Sequence, residues 1–242
     1  MNRVNENPDE YPDLLPDESR TDIAVSLGTI LASAVPGLGG VVASILSEWS
    51  AGRRYARVQE VLEDLALRLE NLRSEASEAY VRSDEFAGLL DQTLRRAAHE
   101  RNKEKRRLYA AFLAGAITTP GEPYHEQLRL LRTLEELQPD HIRIIRAMLQ
   151  EPGPAPPLTG GISTRGITSR ARVLQERLPG IQPERLTELA IDLTDGMRVI
   201  SIGHSLNTMV PPQSAMDLRN EFTPYGRRLV AYIRASEEDT PQ

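Results

Sequence analysis

A run of uncharged, mostly hydrophobic residues between positions 23 and 47 is the first strong pattern in the chain. The run, IAVSLGTILASAVPGLGGVVASILS, has 25 residues, which reaches the roughly 20 residues that a helix needs to cross a membrane. Proline and glycine interrupt it at its midpoint, in the segment 36–40, and such residues end or break helices. The pattern therefore predicts two short apolar helices joined by a tight turn, called the apolar hairpin below.

Two roles are open for the apolar hairpin. Helices that are hydrophobic on all sides occur both in protein cores and in membranes, and about 10 to 14 apolar residues are more typical of a core helix. The first interpretation is a buried hairpin at the centre of a soluble bundle. The second is a hairpin that acts on the inner membrane when it leaves the bundle. The residues predicted to carry the membrane role are Leu27, Ile30, Leu31, Pro36, Gly37, Leu38, Gly39, Gly40, Val41 and Ile45.

Hydrophobic positions with alternating spacings of three and four follow between residues 53 and 79. This heptad pattern predicts one long amphipathic helix whose apolar side packs against a neighbour, in the same chain or in a second copy. Because that side is rich in leucine, we expect it to exceed what short neighbouring helices of one chain cover, which predicts self-association. The predicted oligomer seam consists of Tyr55, Val58, Leu62, Leu65, Leu69 and Leu72.

A third apolar stripe predicts one helix from Asp84 to Thr118, with Ser83 at its start. Charged residues replace the expected apolar positions between Arg101 and Arg107. Two interpretations are open for the basic cluster found here: it contacts anionic lipid headgroups or phosphate, or it is a solvated face that pairs with Glu100 and Glu104. The cluster consists of Arg95, Arg96, Arg101, Lys103, Lys105, Arg106 and Arg107.

The C-terminal part of the chain has shorter elements separated by proline and glycine. Helices are predicted at 124–137, 140–150, 169–178, 183–195 and from Pro224 to about residue 235, with a proline- and glycine-rich loop at 151–161. A short strand at 197–202 is predicted to pair with 207–211. The order of helix, helix, turn, helix, β-hairpin and helix is that of a winged helix, which contains a helix-turn-helix.

Together these patterns predict a mainly α fold in two domains. Residues 21–138 form a helical bundle that includes the apolar hairpin, and residues 139–236 form a small winged-helix-like domain. Residues 1–20 and 237–242 are predicted to be tails. The first of these tails is polar and acidic and lacks the basic start and apolar run of a signal peptide, so we expect a cytoplasmic protein, at most peripheral at the inner membrane.

Charge decides between partners for the winged-helix-like domain. The chain has a net charge of −6, and DNA binding depends on basic residues that contact phosphate. The candidate recognition helix, PERLTELAIDLTD, has one basic residue, Arg185, against the acids Glu184, Glu188, Asp192 and Asp195. We therefore favour a protein partner or self-association over nucleic acid, with a DNA-binding regulator and a soluble oligomeric scaffold as alternatives.

The sequence provides no residues for a reaction. It has no cysteine, and its four histidines are far apart and outside the spacings of metal sites. The glycine-rich segment 159–166 lacks the spacing and the lysine of a phosphate loop, and no nucleophile motif is present. We therefore expect a protein that is not an enzyme and has no cofactor, no metal and no small-molecule substrate.

Three stretches together resemble a known group of proteins. They are SDEFAGLLDQTLRRAAHERNKEKRRLYAAFLAGAI at 83–117, ELQPDHIRIIRAML at 136–149 and FTPYGRRLVAYI at 222–233. Their order resembles that of uncharacterised bacterial helical proteins with a C-terminal winged-helix-like segment, and it is distantly similar to abortive-infection alpha proteins. The resemblance implies a bacterial source and a role in phage defence. It implies no site residues.

Overall fold

The computed structural model of the chain describes residues 37–47, 53–72, 76–119, 121–151 and 168–234, and these are mainly helical. The α-helices are α1 Leu38–Ser47, α2 Arg53–Asn71, α3 Glu78–Val81, α4 Asp84–His99, α5 Lys103–Thr118, α6 Tyr124–Glu136, α7 Pro139–Leu149, α8 Arg170–Arg177, α9 Pro183–Ile191, α10 Pro212–Met216 and α11 Pro224–Arg234. The two strands are β1 Thr168–Ser169 and β2 Met209–Val210. Among the helices of these ranges, none combines the length and the hydropathy needed to cross a membrane.

The chain divides into two compact units. The first ends at Gln127, and the second runs from Leu128 to Arg234. The division falls within α6, whereas the sequence placed a domain boundary after residue 138.

The first unit is built around α5. Every residue of α5 from Leu108 to Ile117 is buried, because α2 and α4 both pack against it. The small side chains of this stretch, four of them alanine and one glycine, allow the neighbouring helices to approach closely. Burial of this many apolar side chains, each contributing about 1.5–3 kcal/mol when large, makes α5 the centre of the first core.

The predicted single helix over 84–118 is wrong, because the chain leaves the helical conformation between α4 and α5. Glu100 has extended backbone angles, with ψ 123°, and the next helix starts from Asn102. The Asn102 side chain accepts a hydrogen bond from the Lys105 N–H, at 3.0 Å, which is the usual arrangement of an N-cap. The Glu100 carboxylate accepts from the Asn102 N–H at 2.7 Å. Local capping thus outweighs the continuity of the apolar stripe.

The heptad helix is also shorter than predicted, and its seam is covered. Helix α2 ends at Asn71, and the short helix α3 begins at Glu78. Within one chain α2 packs against α4 and α5, which corrects the expectation that neighbouring helices leave the seam uncovered. All six seam residues are buried in this way: Tyr55, Val58, Leu62, Leu65, Leu69 and Leu72. They are not available to a second copy of the chain.

In the second unit the observed strand pairing differs from the predicted β-hairpin. Strand β2 pairs antiparallel with β1, with Thr168 opposite Val210 and Ser169 opposite Met209. The segment 197–202 contributes only an isolated bridge, from Ile200 to Phe222. The segment is held instead by Thr223, whose side chain donates to the Arg198 carbonyl at 2.6 Å and whose N–H donates to the Val199 carbonyl at 3.0 Å.

The first turn of α11 packs directly on the backbone of this segment. A Cβ atom at Gly226 would collide with the Val199 carbonyl oxygen, so only glycine fits there. The Thr223 hydroxyl also accepts from the Gly226 N–H, at 2.9 Å. One residue before Gly226, the Tyr225 hydroxyl is 2.6 Å from the Thr133 hydroxyl, which joins α11 to α6.

Candidate functional site

Helices α8 and α9 follow one another in the second unit, with a short turn between them, and they pack against each other. Ser169 caps α8 by accepting from the Arg172 N–H at 3.2 Å, and Pro183 is the first residue of α9. Between them the Gln175 side chain donates to the Ile181 carbonyl and holds the turn. The inward side is apolar and buried, with Val173, Leu174, Leu186, Leu189 and Ala190.

The outward side of α9 and of the π-helical turn that follows it, Asp192–Gly196, is acidic. The four acids of this acidic face are all exposed: Glu184, Glu188, Asp192 and Asp195. Arg185 is the one basic residue of the stretch, and its guanidinium donates to Glu188 at 3.2 Å and to Gln138 at 2.9 Å. This pairing offsets the charge of Glu188, and Asp195 lies 2.9 Å from His204 Nε2, so the acidic face is negatively charged overall but is partly paired within the unit.

A groove of about 450 Å³ lies between α8 and α9, next to the acidic face. Its lining is mixed, with aliphatic as well as polar and charged side chains. The lining residues are Ala171, Arg172, Gln175, Pro183, Glu184, Leu186, Thr187 and Asn207. Glu184 belongs to both surfaces, so a segment that enters the groove meets a carboxylate.

A histidine that the sequence did not single out lies close to the acidic face. His141 is 1% exposed, and its Nδ1 accepts from the Gln138 N–H at 3.1 Å. Its Nε2 has no hydrogen-bond partner in the described part of the chain, and the nearest carboxylate oxygen, of Asp192, is 3.7 Å away. Burial lowers the pKa of His141 below 6.5, and Asp192 opposes that shift. The sequence does carry one sign of this role: His141 is three residues after Gln138, at the start of a predicted helix, where a side chain can accept from the backbone N–H of the capping residue.

The basic cluster is not one surface in the structure. Lys105 and Arg106 are buried, and they pair with Glu100 at 3.4 Å and with Glu60 at 2.6 Å. Arg95 pairs with Asp91 at 2.8 Å, and Arg96 donates to the Gln92 carbonyl at 3.1 Å. The three remaining members are exposed: Arg101, Lys103 and Arg107.

Half of the apolar hairpin lies within the described residues. Leu27, Ile30, Leu31 and Pro36 lie outside them. Gly37 has φ +98°, a left-handed conformation that favours glycine, and α1 follows directly. The first residues of α1 differ in exposure: Leu38 and Gly39 are buried, Gly40 is exposed, and Val41 is half-buried. Ile45 lies in the last turns of α1.

In the described ranges, no group of three or more His, Asp or Glu side chains is arranged to hold a metal ion. The chain matches no protein-family model. Comparison with curated proteins and with solved structures likewise gives no match.

Proposed function

We propose that the chain is a bacterial, non-enzymatic interaction protein whose acidic face binds a basic segment of a protein partner. One observation carries this proposal: four exposed acids line one side of α9 and its π-helical continuation, against a single arginine, which pairs with Glu188. Complementary charge directs such encounters and selects partners more than it adds affinity. The neighbouring groove, which is lined in part by Ala171, Pro183 and Leu186, offers apolar surface for a side chain of the partner.

A DNA-binding regulator is the alternative that this face argues against. In this alternative α7, α8 and α9 are the three helices of a winged helix, α9 is its recognition helix, and the paired strands β1 and β2 belong to its wing. DNA affinity comes mainly from neutralised phosphates. Exposed carboxylates at that position repel phosphate, and Arg185 would first have to leave Glu188 and Gln138.

The test is a comparison of three probes by NMR titration of the full chain. The probes are a lysine-rich peptide of about 15 residues, a glutamate-rich peptide of equal length and a 20-base-pair duplex, a size that spans about two helical turns. We expect the lysine-rich peptide alone to bind, with shifts in the segment 184–195. The double substitution Glu184→Lys and Glu188→Lys removes this binding.

The control double substitution, Glu85→Lys and Glu136→Lys, changes the net charge equally at exposed acids elsewhere, and we expect it to retain binding. If both double variants lost peptide binding equally, the binding would depend on net charge and not on the acidic face. Binding of the duplex, with affinity falling steeply as salt increases, would replace the proposal with the DNA regulator.

A second candidate function is action of the apolar hairpin on the inner membrane, in a phage-defence role of the kind that the resemblance implies. The observation that favours it is α1, whose ten residues, LGGVVASILS, contain no charge. A helix this short does not span a membrane. It lies at the bilayer interface or inserts together with the first half of the hairpin.

A further inference from the structure

Leu67 is a large hydrophobic residue on the charged side of α2. It is 64% exposed, although α2 is otherwise amphipathic and buries its other leucines. Its neighbours one turn away on the outer side, Glu63 and Glu70, are exposed as well. The heptad pattern does not explain Leu67, because this position lies outside the buried seam.

Leu67 lines a groove of about 200 Å³ between α2 and α5, separate from the acidic face. The α2 wall is acidic, with Glu60, Glu63 and Asp64 beside Leu67. The α5 wall is basic, with Lys103, Arg106 and Arg107. The groove therefore has opposite charges along its two sides, with an exposed leucine on the acidic side.

Part of this charge is already paired within the chain. Glu60 pairs with Arg106 at 2.6 Å, and Asp64 pairs with Arg68 at 3.0 Å. Glu63 accepts only from the neutral Gln59 amide, at 2.9 Å. Lys103 and Arg107 form no ion pair with any described residue. One acid and two bases on opposite walls thus remain for a partner.

We propose that the partner is a second copy of this chain. A two-fold axis running along the groove places the acidic wall of each copy over the basic wall of the other. Glu63 of each copy then lies against Lys103 and Arg107 of the other copy, so the same ion pairs form on both sides of the axis. The two Leu67 side chains meet near the axis. A two-fold interface needs such a self-complementary patch, and the opposite walls provide it. The patch is small, so the dimer is a weak one.

The decisive experiment is sedimentation equilibrium on the full chain from about 10 µM to about 1 mM, the range of weak association. The mass of one chain is 27.0 kDa, and for the wild type we expect the average molecular mass in solution to rise towards twice that value as the concentration increases. Glu63→Arg alone, and Lys103→Glu with Arg107→Glu, each place like charges together and weaken the dimer by more than about tenfold. An equimolar mixture of the two variants restores a heterodimer, because both charge pairs are then opposite in sign.

Arg227→Glu serves as the control, since Arg227 is exposed on α11, and we expect it to dimerise like the wild type. A dissociation constant of about 1 mM corresponds to very weak binding. If the wild type stays monomeric up to that concentration, the proposal is overturned. A mixture that does not restore the dimer would do the same.

A second measurement does not depend on charge reversal. The chain has no cysteine, so Leu67→Cys introduces a single thiol near the proposed axis. Mild oxidation should give a disulfide-linked dimer, while Met209→Cys, at a site 54% exposed on β2, should not. Equal cross-linking at both sites indicates random collision and contradicts the proposed surface.

Discussion

His141 shows how the surroundings of one side chain set its protonation. Its imidazole is buried in the first turn of α7, where Nδ1 accepts from the backbone N–H of Gln138. The charged groups that face it are Asp192, Arg185 and Asp140. Because burial, aided by Arg185, lowers the pKa of His141 more than the two carboxylates raise it, the neutral imidazole is the form that the folded protein retains near neutral pH.

This burial predicts a loss of stability in mild acid. In the unfolded chain the histidine takes up a proton near its ordinary pKa of about 6.5, whereas the folded protein takes it up only at lower pH. The free energy of unfolding is therefore unaffected by His141 above that value and falls as the pH drops towards the lowered pKa, by at most about 1.4 kcal/mol per pH unit.

Urea unfolding between about pH 8 and about pH 5 would measure this loss, with the unfolded pKa near the middle. His141→Gln retains a hydrogen-bonding side chain but does not titrate, so its curve lacks the contribution. If the free energies of unfolding of the wild type and of His141→Gln change in parallel with pH over this range, burial of the imidazole does not cause the loss of stability.

The junction between α4 and α5 shows what a single side chain does at the scale of elements. The Arg106 guanidinium donates to the carbonyl oxygens of Glu100 at 3.1 Å and of Arg101 at 2.9 Å, and it also pairs with Glu60. These carbonyls follow the end of α4, where no helical N–H remains to satisfy them. Arg106 thus connects the junction between α4 and α5 to α2.

Replacement of Arg106 by alanine should lower the free energy of unfolding by about 2 to 3 kcal/mol, since hydrogen bonds to a charged group contribute about 1.5–3 kcal/mol. Most of the loss comes from the carbonyl contacts, because Glu60 is 46% exposed and its ion pair is screened by water. Arg106→Lys should retain only part of this stability, since an ammonium group lacks the planar fork of donors of a guanidinium.

Arg107→Ala is the matched control at the next position, and it should change the stability by less than about 0.5 kcal/mol. Thermal or urea unfolding would compare the three variants with the wild type. Similar losses at positions 106 and 107 would contradict the role given to Arg106.

For the whole molecule, the net charge of −6 opposes approach to an anionic surface. Of the basic cluster, Lys105 and Arg106 are buried, so a membrane has fewer cations to attract than the sequence suggested. The membrane candidate therefore depends on the apolar hairpin itself. Leu38 is fully buried, and a charge there would disrupt the core together with any membrane contact.

Gly40 provides the cleaner test, because it is exposed and a Cβ there would meet nothing within 4 Å. The membrane candidate predicts that the wild type floats with anionic vesicles and that Gly40→Asp does not, while Gly40→Ala floats like the wild type. Absence of the wild type from the vesicle fraction, even under mildly destabilising conditions, would leave the hairpin as a core element.

The sequence by itself determined features that depend on neighbouring residues. The predicted bounds of α6, α7, α8 and α11 agree with the structure to within one or two residues, because prolines and capping side chains act over a single turn. The mainly helical class and the acidic side of α9 follow in the same way from local composition and spacing.

Only the tertiary structure decided which of these features meet. Strand β2 pairs with β1, about 40 residues earlier in the chain, and that choice depends on how the intervening helices pack. Arg106 is buried because it reaches Glu60, 46 residues away, and the leucine seam of α2 is covered because α4 and α5 fold back onto it. Periodicity identifies an apolar side, but the element that covers it is selected by long-range packing, and Leu67 stays exposed for the same reason.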